Sequence, residues 1–189
     1  MAAPTLEEIL LGGFIYFVEN GTQTLDPSPG PYTVSSTVKP DTDPATNWTN
    51  FTLGDILNFK FEKEEADLSY DKPLPSGGFA KVNKKLVTQD SLVAKSRHMG
   101  ELVNRLRMGF TGPIVLGTAQ TPGLATDRKA EGWLRLQGRK LGGYDLFILD
   151  WWCEVRLEES DAFEAKVVEP VLRFTQIKGV AGNSCNFPA

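Results

Sequence analysis

Residues Glu131–Glu159, EGWLRLQGRKLGGYDLFILDWWCEVRLEE, decide the fold class of this chain. They predict two long strands joined at Gly142-Gly143. From Trp151 the alternation is strict, with Trp151, Cys153, Val155 and Leu157 on one face and Trp152, Glu154, Arg156 and Glu158 on the other. Period-two alternation of this kind marks a strand with one dry face and one wet face. Just before it, Leu146, Phe147, Ile148 and Leu149 are apolar on both faces. Such a run must be covered on both sides, by its own chain or by another.

Upstream, Gly13–Glu19 (GFIYFVE) predicts a strand that ends in an Asn20-Gly21 turn. Thr5-Leu-Glu-Glu8 fits a capping box and predicts a short helix to Leu11 with Gly12 as its stop. Thr22–Phe51 is rich in Pro, Thr, Ser, Asp and Asn, a long irregular loop (22–53) with Tyr32, Trp48 and Phe51 as anchors. Asp55–Tyr70 predicts a second long strand, with Leu57, Phe59 and Phe61 on one face and Asn58, Lys60, Glu62 and Glu64 on the other. After the Asp71–Gly78 loop a third strand runs over Lys81–Ala94.

One helix is predicted over about residues 97–108, with Ser96 as N-cap and Gly109 just past its end. Met99, Leu102, Val103 and Leu106 form its apolar stripe. Pro113–Leu116 reads as a short strand, Gln120–Arg128 as a loop, and Phe163–Ile177 as a last strand broken at Pro170. Residues 179–189 read as a loose C-terminal tail. About six or seven strands with a single helix make a mainly β domain spanning 1–189, an antiparallel β-sandwich or half-barrel with one flanking α-helix.

At 189 residues the chain is long enough to bury a sizeable core, and its net charge of −4 argues against a binder that relies on a basic field. Two cysteines do not make a disulfide framework; Cys153 sits on a dry face and Cys185 in the polar tail, which fits a reducing, cytosolic origin. The N-terminus lacks a basic region and a long apolar run, so neither a secretion signal nor a membrane span is expected. The sequons at Asn20, Asn47 and Asn50 are then chance matches.

Catalytic groups are sparse. His98 is the sole histidine and falls near the helix start, so neither a histidine-based nucleophile system nor a nitrogen/sulfur metal site is expected. No glycine loop carries a phosphate-binding signature. Glu62, Glu64, Glu65 and Asp67 are the remaining candidates, for glycoside chemistry or Ca²⁺. A solvated or lumen-facing charge row explains them more simply. Trp48, Trp133, Trp151 and Trp152 suggest either a stacking platform or core positions. The expectation is a protein that is not an enzyme and takes no cofactor and no metal.

The order of the parts is GFIYFVE, a polar excursion ending in Asn47-Trp-Thr-Asn-Phe-Thr-Leu-Gly-Asp55, the acidic strand ILNFKFEKEEADLSY, the strand KVNKKLVTQDSLVAKS, the helix RHMGELVNRLRMG, and closing long strands. This order resembles the major tail (tail tube) proteins of long-tailed bacteriophages, related in fold to type VI secretion tube proteins, over about Gly13–Ile177. The resemblance implies a structural virion protein whose hexameric rings stack into a channel for DNA. Its partners would be other copies of itself and the terminator, tape measure and baseplate proteins of the tail, with transient, non-specific passage of DNA and no membrane. It would be made in the bacterial cytoplasm and reside in the virion tail.

On that reading the lumen candidates are Asn58, Lys60, Glu62, Glu64, Glu154, Arg156 and Glu158, an acidic lining that repels phosphates. Contacts between subunits are expected at Leu146, Ile148, Trp152 and Trp48, with the Asp71–Gly78 and Gln120–Arg128 loops as further candidates. The alternatives are a monomeric β-sandwich module that binds a carbohydrate or protein through Trp48 and Trp152, and a carboxylate hydrolase using Glu62 and Glu64.

Overall fold

The computed structural model describes residues 10–23, 32–40, 51–96, 100–109, 128–140, 145–159, 169–177 and 182–187. Strands β6 (Lys129–Lys140) and β7 (Asp145–Glu159) pair antiparallel from Lys129↔Arg156 to Arg139↔Asp145, as their alternation predicts. Strand β1 (Leu10–Glu19) lies along β6, and its residues Gly13–Tyr16 also pair with β4 (Thr52–Pro73). A long hairpin joins β4 to β5 (Phe79–Ser96). Ser91–Lys95 of β5 then pair with β8 (Val171–Gln176), and β8 returns to β7.

The circuit β6–β1–β4–β5–β8–β7 therefore closes on itself. The architecture is mainly β and antiparallel, with one short helix, and the half-barrel is completed into a six-stranded barrel. Closure satisfies backbone donors and acceptors that open sheet edges would leave unpaired.

The barrel interior is filled by the dry faces of these strands, including Ile15, Leu92, Leu134, Leu136, Val155, Leu172 and Phe174. Helix α1 (Glu101–Met108) adds Val103 and Leu106 to the same core. Gly109 ends it in the left-handed region (φ 71°), where its N–H reaches the Arg105 carbonyl, and Arg105 pairs with Glu19 of β1. Gly100, not Ser96, is the N-cap residue. Ser96 instead ends β5, buried, with its Oγ donating to the Leu53 carbonyl at 2.6 Å.

A second, smaller core lies on the outside of the barrel. Strands β2 (Gly21–Gln23) and β3 (Tyr32–Val34) form a small hairpin inside the long loop and place Val34 against Val18, Trp133 and Trp152. Trp133 Nε1 donates to the Ser35 carbonyl at 2.8 Å. Next to it Asp150, almost fully buried, accepts from Arg135 Nε and Nη2 at 2.7 and 2.8 Å and from Lys39 Nζ at 2.9 Å. The described residues of the loop thus have a structural role: they cover two tryptophans and a buried carboxylate.

Two further expectations change. Strand β1 begins at Leu10, so no helix runs through Leu11, and Gly12 (φ 140°) marks a register shift in the β1–β6 ladder. The break expected at Pro170 is present: β8 starts at Val171, just past it, and the Pro170 carbonyl accepts the Ser96 N–H at 3.1 Å. The tail is not loose throughout: β9 (Ser184–Asn186) pairs with Ile148–Asp150 of β7. Strand β8 covers β7 only over Cys153–Glu159, and the tail fills part of the remaining edge. The Asn183 Oδ1 also accepts the Trp152 N–H at 2.8 Å. Thr5–Glu8, Pro113–Leu116, most of Gln120–Arg128, residues 161–168, His98 and Trp48 lie outside the described residues.

Candidate functional site

Cross-strand partners share a sheet face, so the register assigns each charged row. Lys60 and Glu62 of β4 oppose Val93 and Ser91 of β5, which oppose Arg173 and Thr175 of β8, which oppose Arg156 and Glu154 of β7. The two predicted lumen rows, Asn58-Lys60-Glu62-Glu64 and Glu154-Arg156-Glu158, are therefore parts of one continuous outer face of the barrel. Lys129 and Glu131 extend it onto β6.

Arg173 joins the rows. Its Nη2 lies 2.8 Å from Glu62 and 2.6 Å from Glu158. Lys60 pairs with Glu62 at 2.9 Å, while Arg156 and Lys129 hold Glu154 at 2.6 and 2.8 Å. Hydrogen bonds from Lys60 and Arg173 hold the Glu62 carboxyl below its usual range. For Glu154, burial works against ionisation, but the bonds from Lys129 and Arg156 outweigh it and the carboxyl titrates low.

The face is not acidic, as the two rows alone suggest. Glu62, Glu64, Glu131, Glu154 and Glu158 are matched in number by Lys60, Lys95, Lys129, Arg156 and Arg173. Strands β5, β6 and β8 supply cations that the two rows do not contain. The signal for Arg173 was present in VLRFTQ, where Leu172 and Phe174 turn inward and Arg173 and Thr175 outward.

The remaining candidates separate. Trp152 is 4% exposed inside the second core, so it offers a neighbouring subunit or a ligand no surface. Covered by Val34 and Trp133, it is buried although it alternates with Glu154 on the face predicted wet. Leu149 is buried in the interior and Phe147 packs against that core, whereas Leu146 and Ile148 are half-buried on the opposite face. The two-sided apolar run is thus covered mostly within its own chain. The four carboxylates weighed for catalysis divide between the two faces of β4, Glu62 and Glu64 on one and Glu65 and Asp67 on the other. Cys153 is buried, and burial pushes its thiol far up; Cys185 is exposed on β9.

The feature that sequence reasoning missed is an arm. Strand β4 pairs with β1 only as far as Ile56, and β5 pairs with β8 only over Ser91–Lys95. Beyond that the hairpin continues to Pro73 and Phe79. At about 3.3 Å per residue, Glu64–Pro73 carries it roughly 30 Å past the barrel. Thr88 is an extra residue between the partners of Glu64 and Glu65, and its Oγ donates to the Glu64 carbonyl at 3.0 Å. The tip turns at Leu74-Pro-Ser-Gly77, closed by Gly77 N–H to Leu74 O at 3.0 Å, with Gly77 and Gly78 at positive φ.

The arm is two-faced. Ala66, Leu68, Tyr70, Ala80, Val82 and Leu86 share one face with Lys72 and Lys84, and Glu65, Asp67, Asp71, Lys81 and Lys85 share the other with Ser69, Asn83 and Val87. Leu68, Tyr70 and Leu86 are 46%, 41% and 49% exposed. Phe79 and Leu74 expose further apolar surface at the tip. The sequence carried this signal as a change of phase, from Phe59 and Phe61 to Leu68 and Tyr70.

No family model matches the chain, and no curated protein matches it.

Proposed function

We propose that this chain is the subunit of a bacteriophage tail tube, self-assembling into stacked hexameric rings that conduct DNA. The observation that carries this reading is the arm. An isolated two-stranded ribbon is marginally stable in water and gains stability by packing its apolar face. An exposed apolar patch bordered by charged residues, here Lys72 and Lys84, marks an interaction surface. Copies of the same chain are the partners that the resemblance to tail tube proteins implies, and rings with heterologous contacts stack into tubes.

The outer charged face suits a channel wall. Lys60, Lys129, Arg156 and Arg173 are each held by a carboxylate of the same face. Passing phosphates would meet cations already neutralised, and tight binding needs cations that replace counterions on DNA. The bulge at Thr88 bends and twists the hairpin, so the charged row can line the channel while the apolar arm leaves the wall toward another subunit. The tail's terminator, tape measure and baseplate proteins would meet the ends of this tube, in the virion tail.

The alternative, a monomeric binding module, relied on Trp48 and Trp152 as a platform. Burial of Trp152 weighs against it. Negative-stain microscopy of the purified chain tests the proposal: rings with a central hole, alone or stacked, are expected, and a field of single small particles at high concentration would contradict it.

A further inference from the structure

The edges of the arm differ in charge. Among the described residues, no other strand pairs with β4 over Glu64–Pro73 or with β5 over Phe79–Leu86. Both strands therefore present a free edge, a template for a further strand. On the polar face β4 carries the carboxylates Glu65, Asp67 and Asp71, and β5 carries Lys81 and Lys85. Asp67 stands opposite Lys85 and Asp71 opposite Lys81, and Lys85 Nζ reaches Glu65 at 3.2 Å. One edge of the ribbon is an acidic column and the other a basic column.

We infer that the arm of one copy pairs edge to edge with the arm of the next, the basic β5 edge of one lying against the acidic β4 edge of its neighbour. The inference rests on the assembling-subunit reading and specifies how copies recognise each other. Geometry favours it. Copies related by rotation about an axis along the arm bring β5 of one beside β4 of the next in antiparallel sense, because those strands already run antiparallel within each hairpin. Antiparallel neighbours form the perpendicular hydrogen-bond ladder that both edges lack.

Charge favours the same order. Each lysine column would stand between two carboxylate columns, its own and the neighbour's, and opposite charges across strands are stabilising whereas like charges are not. The opposite face gains as well. Leu68 and Tyr70 of one arm would lie beside Val82, Lys84 and Leu86 of the next, so the apolar patches of neighbouring arms meet around the Lys84 side chain. Pairing β4 with β4, or β5 with β5, would set like columns against each other. The contact is therefore heterologous and directional.

A charge exchange tests this in the full-length chain. Glu65→Lys, Asp67→Lys and Asp71→Lys together, or Lys81→Glu and Lys85→Glu together, give arms with like-charged edges. Each set should raise the concentration for half-assembly by about tenfold or more, since several cross-strand pairs turn repulsive at once. The five-fold exchange restores opposite columns both within and between arms, so it should assemble alone near the wild-type concentration. Mixed with the wild type it should sort into separate assemblies, detected with two fluorescent labels, because each mixed edge sets like charges together. An effect through arm folding alone predicts free mixing. Sorting supports arm-to-arm pairing; free mixing, or wild-type assembly of both like-charged sets, overturns it while leaving self-assembly intact. A wild type that never assembles overturns the subunit reading itself.

Discussion

Trp133 and Trp152 stand edge to face across the β6–β7 ladder, with ring centroids 5.7 Å apart and planes inclined by 72°. They form the floor of the outer core that the β2–β3 hairpin roofs with Val34. Trp152→Ala should therefore destabilise the chain by about 3–5 kcal/mol, the range for truncating a buried aromatic. Urea unfolding measures it. A stacking platform for a ligand predicts instead near-normal stability with lost binding.

Asp150 sets an acid limit on the same region. Burial disfavours its charge, but hydrogen bonds from Arg135 and Lys39 outweigh that and hold the carboxyl below its ordinary 3.8. A folded value below the unfolded one stabilises the fold above the unfolded pKa, and that stability is lost as pH falls through the folded value. Unfolding free energy should thus fall as pH drops below about 4. Asp150→Asn should cost about 1.5–3 kcal/mol at pH 7, the range for hydrogen bonds to a charged group. It should also flatten the acid slope in part, since Glu154 is likewise held low. Chemical denaturation across pH 2.5–7 reads both effects, taken down to roughly the point where carboxylates are fully protonated.

What was legible in the sequence was whatever period two encodes within one strand. The β6–β7 hairpin, the inward Cys153 and Val155, and the outward Glu154 and Arg156 follow from alternation alone. What was not legible depended on strands meeting. Trp152 alternates with Glu154, yet a hairpin from a distant loop buries it. Glu62 and Glu158 lie in separate rows of sequence, and only the β8 register brings Arg173 between them. Pairing of Cys185 with Leu149 was hidden because the tail is rich in Gly, Asn and Ser, with no strand pattern of its own. The arm was hidden for a further reason: alternation says which side chains share a face but not whether anything covers them.

The apolar face of the arm should matter to assembly and not to the fold. Leu68→Glu with Tyr70→Glu changes two exposed residues, so unfolding free energy should move by no more than about 1 kcal/mol, twice the usual surface limit. Assembly should be lost. Circular dichroism and thermal unfolding beside light scattering separate the two, and a variant that assembles normally would remove the arm from the account.

The charged face makes a different prediction. Glu62→Lys, Glu64→Lys and Glu154→Lys together leave Arg173, Lys60, Lys129 and Arg156 short of carboxylates on the barrel's outer face. Assembly should persist, whereas duplex DNA should now bind with a salt slope of about −0.9 per phosphate contacted. In a phage carrying the change, DNA delivery should be impeded. Normal infectivity would end the assignment of this face to the channel.

The central claim, self-assembly through the arm, is tested most directly by the solution mass of the full-length chain as concentration rises, beside a version with residues 65–87 replaced by a short turn. The account predicts that the intact chain grows from 20.8 kDa to multiples of it, while the armless chain stays a folded monomer. An intact chain that remains at 20.8 kDa throughout, or an armless chain that assembles as well as the intact one, would contradict it.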